Sequence, residues 1–498
     1  MNISGAKRGF EIIQNPGRFF IGGQWVEPSS DSAIDVITPA TEELFVSVAE
    51  AQEADVNRAV AAARTAFDAG PWPRMSHSER AGYIRAIGRE LAKRDEDVAT
   101  IWPNEMGVLK SFAEGAAVAL SGVYEYYAGL AETFPFEERH HPAGGGALGL
   151  LVREPVGVVA AIIPWNGPFT IVAYKVAPAL LAGCTLVVKA SPEAPGAAYV
   201  LAEICEAVGL PPGVVNVVTA ERAVSELLVR HPDVDKVSFT GSSAAGRRIA
   251  SICGERIARC TLELGGKSAA VIMDDYDIEI AARDIVGPAC WMTGQACSSL
   301  TRIVVPRRRH DAMVEALSSL MASVRVGDPF DPDSQMGPVA MRRQRDRIEG
   351  LMAKGVEEGA KVGAGGGRPK HLDRGFFIEP TVFGNVTNQS TLAREEIFGP
   401  VLSVIPAESE DDAISIANDT VYGLNNSVFT NDPDKAYAAA RRLRSGTVGH
   451  NVFRTDFSIA FGGFKQSGIG REGGADGLLP YLEAKTVILE GVPAHLRD

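Results

Sequence analysis

The 498-residue chain is poor in cysteine, and its six (positions 184, 205, 253, 260, 290 and 297) form no CxxC pair. Eight histidines are scattered, with no HExxH spacing. These gaps argue against a zinc site or a disulfide framework, so no metal is expected and a reducing, cytoplasmic compartment is. A long apolar run is also missing. The most apolar stretch, 176–188, is bounded by Lys175 and Lys189 and broken by Pro178 and Gly183. It falls short of the roughly 20 residues of a membrane helix, and residues 1–25 lack a signal-peptide core. Basic charge is in deficit, with 49 Lys and Arg against 62 Asp and Glu for a net charge of −13. That argues against a nucleic-acid partner, which needs a basic face. What remains is 46% hydrophobic and 22% charged, an ordinary globular balance with a sizeable core and more than one domain.

Periodicity divides the chain. Residues 51–69 and 78–101 read as helices, with Ser76 and Ser78 as candidate N-caps. From residue 156 strands and helices alternate. Strands are expected at 156–164, 185–189, 214–219, 236–240 and 261–264, and helices at 170–182, 195–207, 221–230 and from Ser243. This rhythm predicts an α/β fold, a doubly wound parallel sheet covered on both faces. Such sheets bind ligands beyond the carboxyl ends of their strands, where Asn166, Lys189, Gly241 and Glu263 all fall. Residues 269–460 repeat the idea less regularly. Strands are expected there at 269–273, 301–306, 381–386, 401–405 and 427–430, helices at 309–324, 338–358, 410–418 and 432–444, and a glycine loop at 364–367. Residues 131–154 read as a projecting hairpin. Residues 485–489 form an apolar strand with no obvious partner, a liability that a subunit contact would remove.

Three side chains could share acyl-group chemistry. Cys297, in Gly294-Gln295-Ala296-Cys297-Ser298-Ser299, offers a nucleophile. Glu263, closing an apolar strand before Leu264-Gly265-Gly266-Lys267, offers a base, and Asn166, in Pro164-Trp165-Asn166-Gly167-Pro168, an oxyanion donor. Each has a structural alternative: a packing cysteine, a turn asparagine, and a carboxylate neutralised by Lys267. Gly241, just before a helix, suits the approach of a pyrophosphate or is a plain strand–helix turn. Lys189 suits ribose hydroxyls or is a solvated strand end. The stretches 395–400 and 461–472, dense in glycine and aromatics, read as loops that approach a ligand.

Together these segments resemble the aldehyde dehydrogenase superfamily, of the hydrolytic, non-acylating type. The resemblance runs from Phe20-Ile21-Gly22-Gly23-Gln24-Trp25 to Glu483-Ala484-Lys485-Thr486-Val487. It implies oxidation of an aldehyde to a carboxylic acid with NAD, NADP being an alternative. It implies Cys297 as nucleophile, Glu263 as general base, Asn166 as oxyanion donor with the Cys297 N–H, and Lys175 and Glu472 as a proton path. Cofactor contacts would come from Ile162, Pro164, Trp165, Lys189, Ser191, Gly241, Ser242, Leu264, Gly265, Glu396 and Phe398. The aldehyde pocket would be lined by Gly167, Trp291, Phe457 and Phe461. The implied domains are a Rossmann-like cofactor-binding domain (1–130 and 155–262), an α/β catalytic domain (263–474) and a small β oligomerisation hairpin and tail (131–154 and 475–498). A homo-oligomer is implied, a tetramer rather than a dimer.

Three departures from the family pattern carry expectations. Gly167 replaces a large side chain beside Asn166, which widens the tunnel for a bulky or apolar aldehyde. Pro192, followed by Glu193, stands where NAD-preferring relatives carry a glutamate. NAD remains expected, with Arg222 the residue that would favour NADP. Ala296 and Ser298 flank the nucleophile, so no protective disulfide with a neighbouring thiol, such as Cys290, is expected. The rival readings are a CoA-acylating semialdehyde dehydrogenase, an ester or thioester hydrolase, and a non-enzymatic structural protein on this scaffold. The first has no need of Glu263 and the last of neither Glu263 nor Cys297.

Overall fold

A computed structural model describes residues 9–497. Its first frame is an eight-stranded sheet with five parallel strands at its centre. They run in the spatial order Arg259–Glu263, Lys236–Thr240, Val158–Ile162, Thr185–Ala190, Val215–Thr219. The earliest of these in the chain lies in the middle, and the winding reverses there, so a crevice opens at its carboxyl end. The strands are buried on both faces over most of their length. That is why they appear in the sequence as continuous apolar runs, not alternations. Helices Pro168–Ala182, Gly196–Ala207, Arg222–Arg230 and Ser243–Arg256 connect them. Strands Phe19–Ile21 and Gln24–Val26 extend one edge antiparallel. At the other edge, Gly468–Ile469 pairs antiparallel with Leu262 and Glu263. A segment expected in the 263–474 unit therefore completes the first sheet.

The second sheet has seven strands in the order Lys361–Ala364, Thr381–Gly384, Val401–Ala407, Leu300–Pro306, Ser268–Ile272, Asn425–Phe429, Thr447–His450. All neighbours are parallel except the first pair. The glycine turn expected at 364–367 therefore starts on an edge strand. Thr447–His450 has no counterpart in the expected elements, being too short to show a pattern.

The single helix expected over 78–101 is two, His77–Leu91 and Asp95–Met106. Ser76 caps the first: its hydroxyl accepts the Glu79 N–H while the Glu79 carboxylate accepts the Ser76 N–H, a reciprocal capping box. Helices Lys110–Thr133 and Ile278–Cys290 also go beyond the expected set.

Glu137–His140, Leu148–Pro155 and Leu482–Leu489 form a separate three-stranded antiparallel sheet. Leu482 faces Pro155 and Leu489 faces Leu148, so the tail strand is paired along its length within its own chain. The expectation that it lacks an in-chain partner is thereby corrected; its partner lies too far upstream for local pattern to reveal. Among the described residues no helix is long and apolar enough to cross a membrane, and no His, Cys, Asp and Glu group could hold a metal ion.

Candidate active site

Cys297 sits on an irregular loop after helix Ile278–Cys290. Met292 and Thr293 adopt left-handed φ of +49° and +55°, a conformation that side-chain-bearing residues hold only under tertiary restraint. The restraint is polar. Thr293 Oγ1 donates to the Gly337 carbonyl (3.1 Å). Gln295, fully buried, accepts the Ala340 N–H at 2.9 Å and donates to the Met292 carbonyl at 3.1 Å. Asn166 reaches this loop from the central strand: its Nδ2 donates to the Gln295 carbonyl at 3.0 Å. The Trp102 indole N–H donates to the Asn166 carbonyl at 3.0 Å. The Asn166 amide is thus fixed two residues from the thiol. Close packing also explains two glycines. A Cβ on Gly266 would lie 2.4 Å from the Cys297 carbonyl oxygen, and one on Gly265 would lie 2.2 Å from Glu396 Oε2.

Electrostatics set the protonation of this cluster. Burial, then the carboxylates of Glu396 and Glu263, push the Cys297 thiol up to about 12. Glu263 is buried at its strand end, and neither carboxylate oxygen has a hydrogen-bond partner among the described residues. Burial, with Glu472 adding to it, holds its carboxyl well above the ordinary range. The alternative of a Glu263 carboxylate neutralised by Lys267 is not what the structure has. Lys267 is buried with its Nζ unbonded among the described residues. It is pushed down to about 7 by burial and then by Arg302, while Glu396 is the first carboxylate to act on it. The Gly265–Gly266 turn separates Lys267 from the strand end, and its carbonyl accepts from Arg302 Nε at 2.9 Å. Glu396 Oε1 accepts the Gly266 N–H at 3.0 Å, and burial pushes this carboxyl up to about 7.

The loop 461–472 closes over Glu263. A Cβ on Gly462 would stand 2.6 Å from Glu263 Oε1, and the Leu264 N–H donates to the Ser467 carbonyl at 2.9 Å. Behind it, Lys175 Nζ makes a buried ion pair with Glu472 Oε1 at 2.5 Å and donates to Ser238 Oγ at 3.1 Å. Glu472 and Lys175 both act electrostatically on Glu263.

On the other side of the crevice, Trp165 and Phe398 meet edge to face with centroids 5.4 Å apart. The turn of Phe398 (φ +58°) is held by Gln344 Nε2, which donates to its carbonyl at 2.8 Å. Ile162 and Pro164, just before Trp165 in the chain, are buried. Lys189 is buried and pushed down to about 8 by burial, opposed by Glu193 and Glu221. Glu193 and Glu221, not Arg222, are the charges that act on Lys189; Arg222 is the exposed first residue of its helix. Ser191 spends its hydroxyl on Glu193, which also pairs with Arg343. Ser242 caps helix Ser243–Arg256, accepting the Ala245 N–H at 3.3 Å, and the Gly241 N–H donates to the Glu263 carbonyl at 3.0 Å.

Phe461, Phe457 and Tyr174 form a stack, with centroids 4.1 Å and then 4.5 Å apart. A Cβ on Gly167 would meet only Ile171 Cγ1 and Met292 Cε, both at 4.0 Å, so the wall there is open. Trp291 stands apart from the stack. It is 50% exposed and packs on Phe112 and Phe453 at 6.3 and 6.1 Å. Tyr174, Ile171 and Met292 escape sequence reasoning. The first two were available from it, because helical spacing carries them along one face from Gly167. All six cysteines are free, and Cys290 Sγ lies 3.8 Å from Met321 Sδ.

The geometry agrees with comparison to known proteins. The profile of the aldehyde dehydrogenase family matches residues 25–487. A geranial dehydrogenase of Castellaniella defragrans is 43% identical over 473 residues, 95% of this chain and 98% of that protein. The crystal structure of a Mycobacterium tuberculosis aldehyde dehydrogenase complexed with NAD+ superposes with TM-score 0.93 at 45% identity, covering 95% of this chain and 98% of that one. A mutant aldehyde dehydrogenase C of Pseudomonas syringae, complexed with NAD+ and octanal, gives TM-score 0.92 at 38% identity, covering 96% and 98%. The chain belongs to the aldehyde dehydrogenase family.

Proposed function

We propose that this enzyme oxidises a bulky, apolar aldehyde to its carboxylic acid, with NAD+ as the hydride acceptor and Cys297 as the nucleophile. The observation that carries the reading is the meeting of a thiol, a fixed amide and a buried, unbonded carboxyl at one strand-end crevice. The apolar preference rests on the open wall at Gly167 and the three-ring stack. Relatives named for geranial and complexed with octanal support it.

The crevice fits a dinucleotide. Lys189 offers a buried ammonium for ribose hydroxyls, Gly241 and Ser242 open a helix suited to a pyrophosphate, and Glu396 stands against a glycine turn that admits a second ribose. Ile162, Pro164, Trp165, Ser191, Leu264, Gly265 and Phe398 complete its walls. When bound, the nicotinamide accepts a hydride from the substrate carbon.

The remaining chemistry belongs to the chain. Cys297 sulfur bonds to the carbonyl carbon as its proton passes to a base, Glu263 once ionised. Asn166 Nδ2 and the Cys297 N–H donate to the oxyanion. Loss of hydride leaves a thioester on Cys297. Once the thiol proton has left Glu263, the carboxylate takes a proton from water, the resulting hydroxide adds to the thioester carbonyl, and the C–S bond breaks to release the carboxylic acid and the Cys297 thiolate. The Lys175–Glu472 pair carries that proton on. A water-activating carboxyl in this position favours hydrolysis over transfer to CoA. We assign the enzyme to a reducing cytoplasm, in keeping with six free thiols, and to a homotetramer.

The test is NADH formation across an aldehyde panel, with wild type and Cys297→Ala. Wild type is expected to favour decanal, citral or benzaldehyde over acetaldehyde in kcat/KM, and the variant to form no NADH. The reverse preference would sink the apolar reading. The ratio of KM for NADP+ to that for NAD+ checks the cofactor.

A further inference from the structure

We propose that Cys253 and Cys260 are a redox-active thiol pair, which hydrogen peroxide closes to a reversible disulfide at the far end of strand Arg259–Glu263 from the general base. The pair has no part in the aldehyde chemistry above.

The turn between helix and strand brings the two thiols together. Helix Ser243–Arg256 ends at Ile257, whose left-handed φ of +56° turns the chain back. The Ala258 N–H donates to the Cys253 carbonyl at 2.9 Å, and strand Arg259–Glu263 begins directly after it. Cys260 thus returns to the side of the helix that carries Cys253. Cys253 is buried in the apolar core that helix and strand share, with Ile249, Ile252 and Leu262. Cys260 packs against the same core but is only half-buried.

The two sulfurs divide the work. The Cys253 thiol donates to Cys260, which holds the Cys260 thiol below its ordinary range and pushes that of Cys253 up. Lys236 adds to the effect on Cys260. Its buried ammonium lies on the neighbouring strand and donates to Thr261 Oγ1 at 2.6 Å. The packing thiols Cys184, Cys205 and Cys290 differ: burial pushes them up to about 11, 12 and 12. The thiolate is the reactive form, so Cys260 is the attacking thiol and Cys253 the resolving one. Access comes from a groove of about 630 Å³ at the same turn, lined by Arg230, Arg256, Ile257, Ala258 and Arg259.

The Cys260 thiolate takes one oxygen from hydrogen peroxide as the O–O bond breaks, which leaves a sulfenic acid on Cys260 and a hydroxide. That hydroxide takes the Cys253 proton and becomes water. The Cys253 sulfur then bonds to the Cys260 sulfur as the S–O bond breaks, and the second hydroxide leaves as water with a proton from solvent. Two thiols are oxidised and one peroxide is reduced.

Trypsin separates the thiols, because it cuts after Arg248, Arg256, Arg259 and Lys267 and leaves peptides 249–256 and 260–267. Whole enzyme should be treated with hydrogen peroxide, alkylated, digested and mapped by mass. The two peptides are expected joined, and dithiothreitol should release them. Cys297→Ala should give the same joined pair at a rate within about twofold of wild type, since the catalytic thiol is not needed for the exchange. Cys253→Ala should stop at a Cys260 sulfenic acid that dimedone traps, and Cys260→Ala should leave Cys253 reduced. Peptides that stay separate in both wild type and Cys297→Ala, or a Cys260 that goes to sulfinic acid while Cys253 stays reduced, would overturn the pair. The wild-type map decides the matter even if either cysteine variant fails to fold.

Discussion

Glu263 is buried with no hydrogen bond to its carboxyl among the described residues, and this has a thermodynamic signature. Its proton is kept in the folded chain at pH values where the unfolded chain, with an ordinary value near 4.5, has lost it. The folded state then binds more protons, so this site lowers stability progressively as pH rises from that ordinary value toward the raised one. Glu263→Gln should therefore melt at a higher temperature than wild type at pH 8, with the gap closing toward pH 5, as calorimetry at the two values would show. The same variant should lose turnover, because the amide cannot take a proton from water. Asn166→Ala should lose roughly 10²–10³ in kcat while melting within a few degrees of wild type. A loss under tenfold in steady-state assays would remove Asn166 from the oxyanion role. Cys297, Glu263 and Asn166 were legible because their surrounding motifs are local. The charges around Glu263 were legible only through the family resemblance, which named Lys175 and Glu472. Lys267 is near in sequence, but the groups that act on the carboxyl, Glu472, Lys175 and Arg471, come from distant segments.

The loop 461–472 is the element that sets the surroundings of that carboxyl. Gly462 has φ of +149°, and a Cβ there would stand 2.6 Å from Glu263 Oε1. Gly462→Ala should displace the carboxyl, and displacements near 1 Å can cost on the order of 10²-fold in rate. KM for NAD+ should stay within about twofold, a split that steady-state kinetics would reveal. Legibility at this scale followed burial. The five central strands are covered on both faces and appeared as apolar runs with ends placed within a couple of residues. Helix Lys110–Thr133 carries Gly115, Gly122 and Gly129, which weaken its helical signal. The break between His77–Leu91 and Asp95–Met106 was hidden because Lys93 and Arg94 continue the charged face of the pattern.

At the scale of the molecule, the three-stranded sheet of hairpin and tail stands outside both larger sheets. Removing residues 482–498 would strip the strand that pairs with Leu148–Pro155 and leave a bare edge. Light scattering after gel filtration should give wild type as four chains of 52.8 kDa and the truncated protein as smaller species or aggregate. A truncated protein that remained four chains would free the tail of any role in assembly. The strand Gly468–Ile469, on the edge of the first sheet beside Glu263, matters for how the enzyme is made. Translation delivers the thiol and the carboxyl well before the segment that covers the carboxyl. Until that last stretch emerges, Glu263 lacks the loop that lies against it and Lys175 lacks its partner Glu472. The surroundings of the carboxyl are therefore complete only once residues 461–472 have been made, and a chain stopped before them lacks both the cover of Glu263 and the carboxylate that pairs with Lys175.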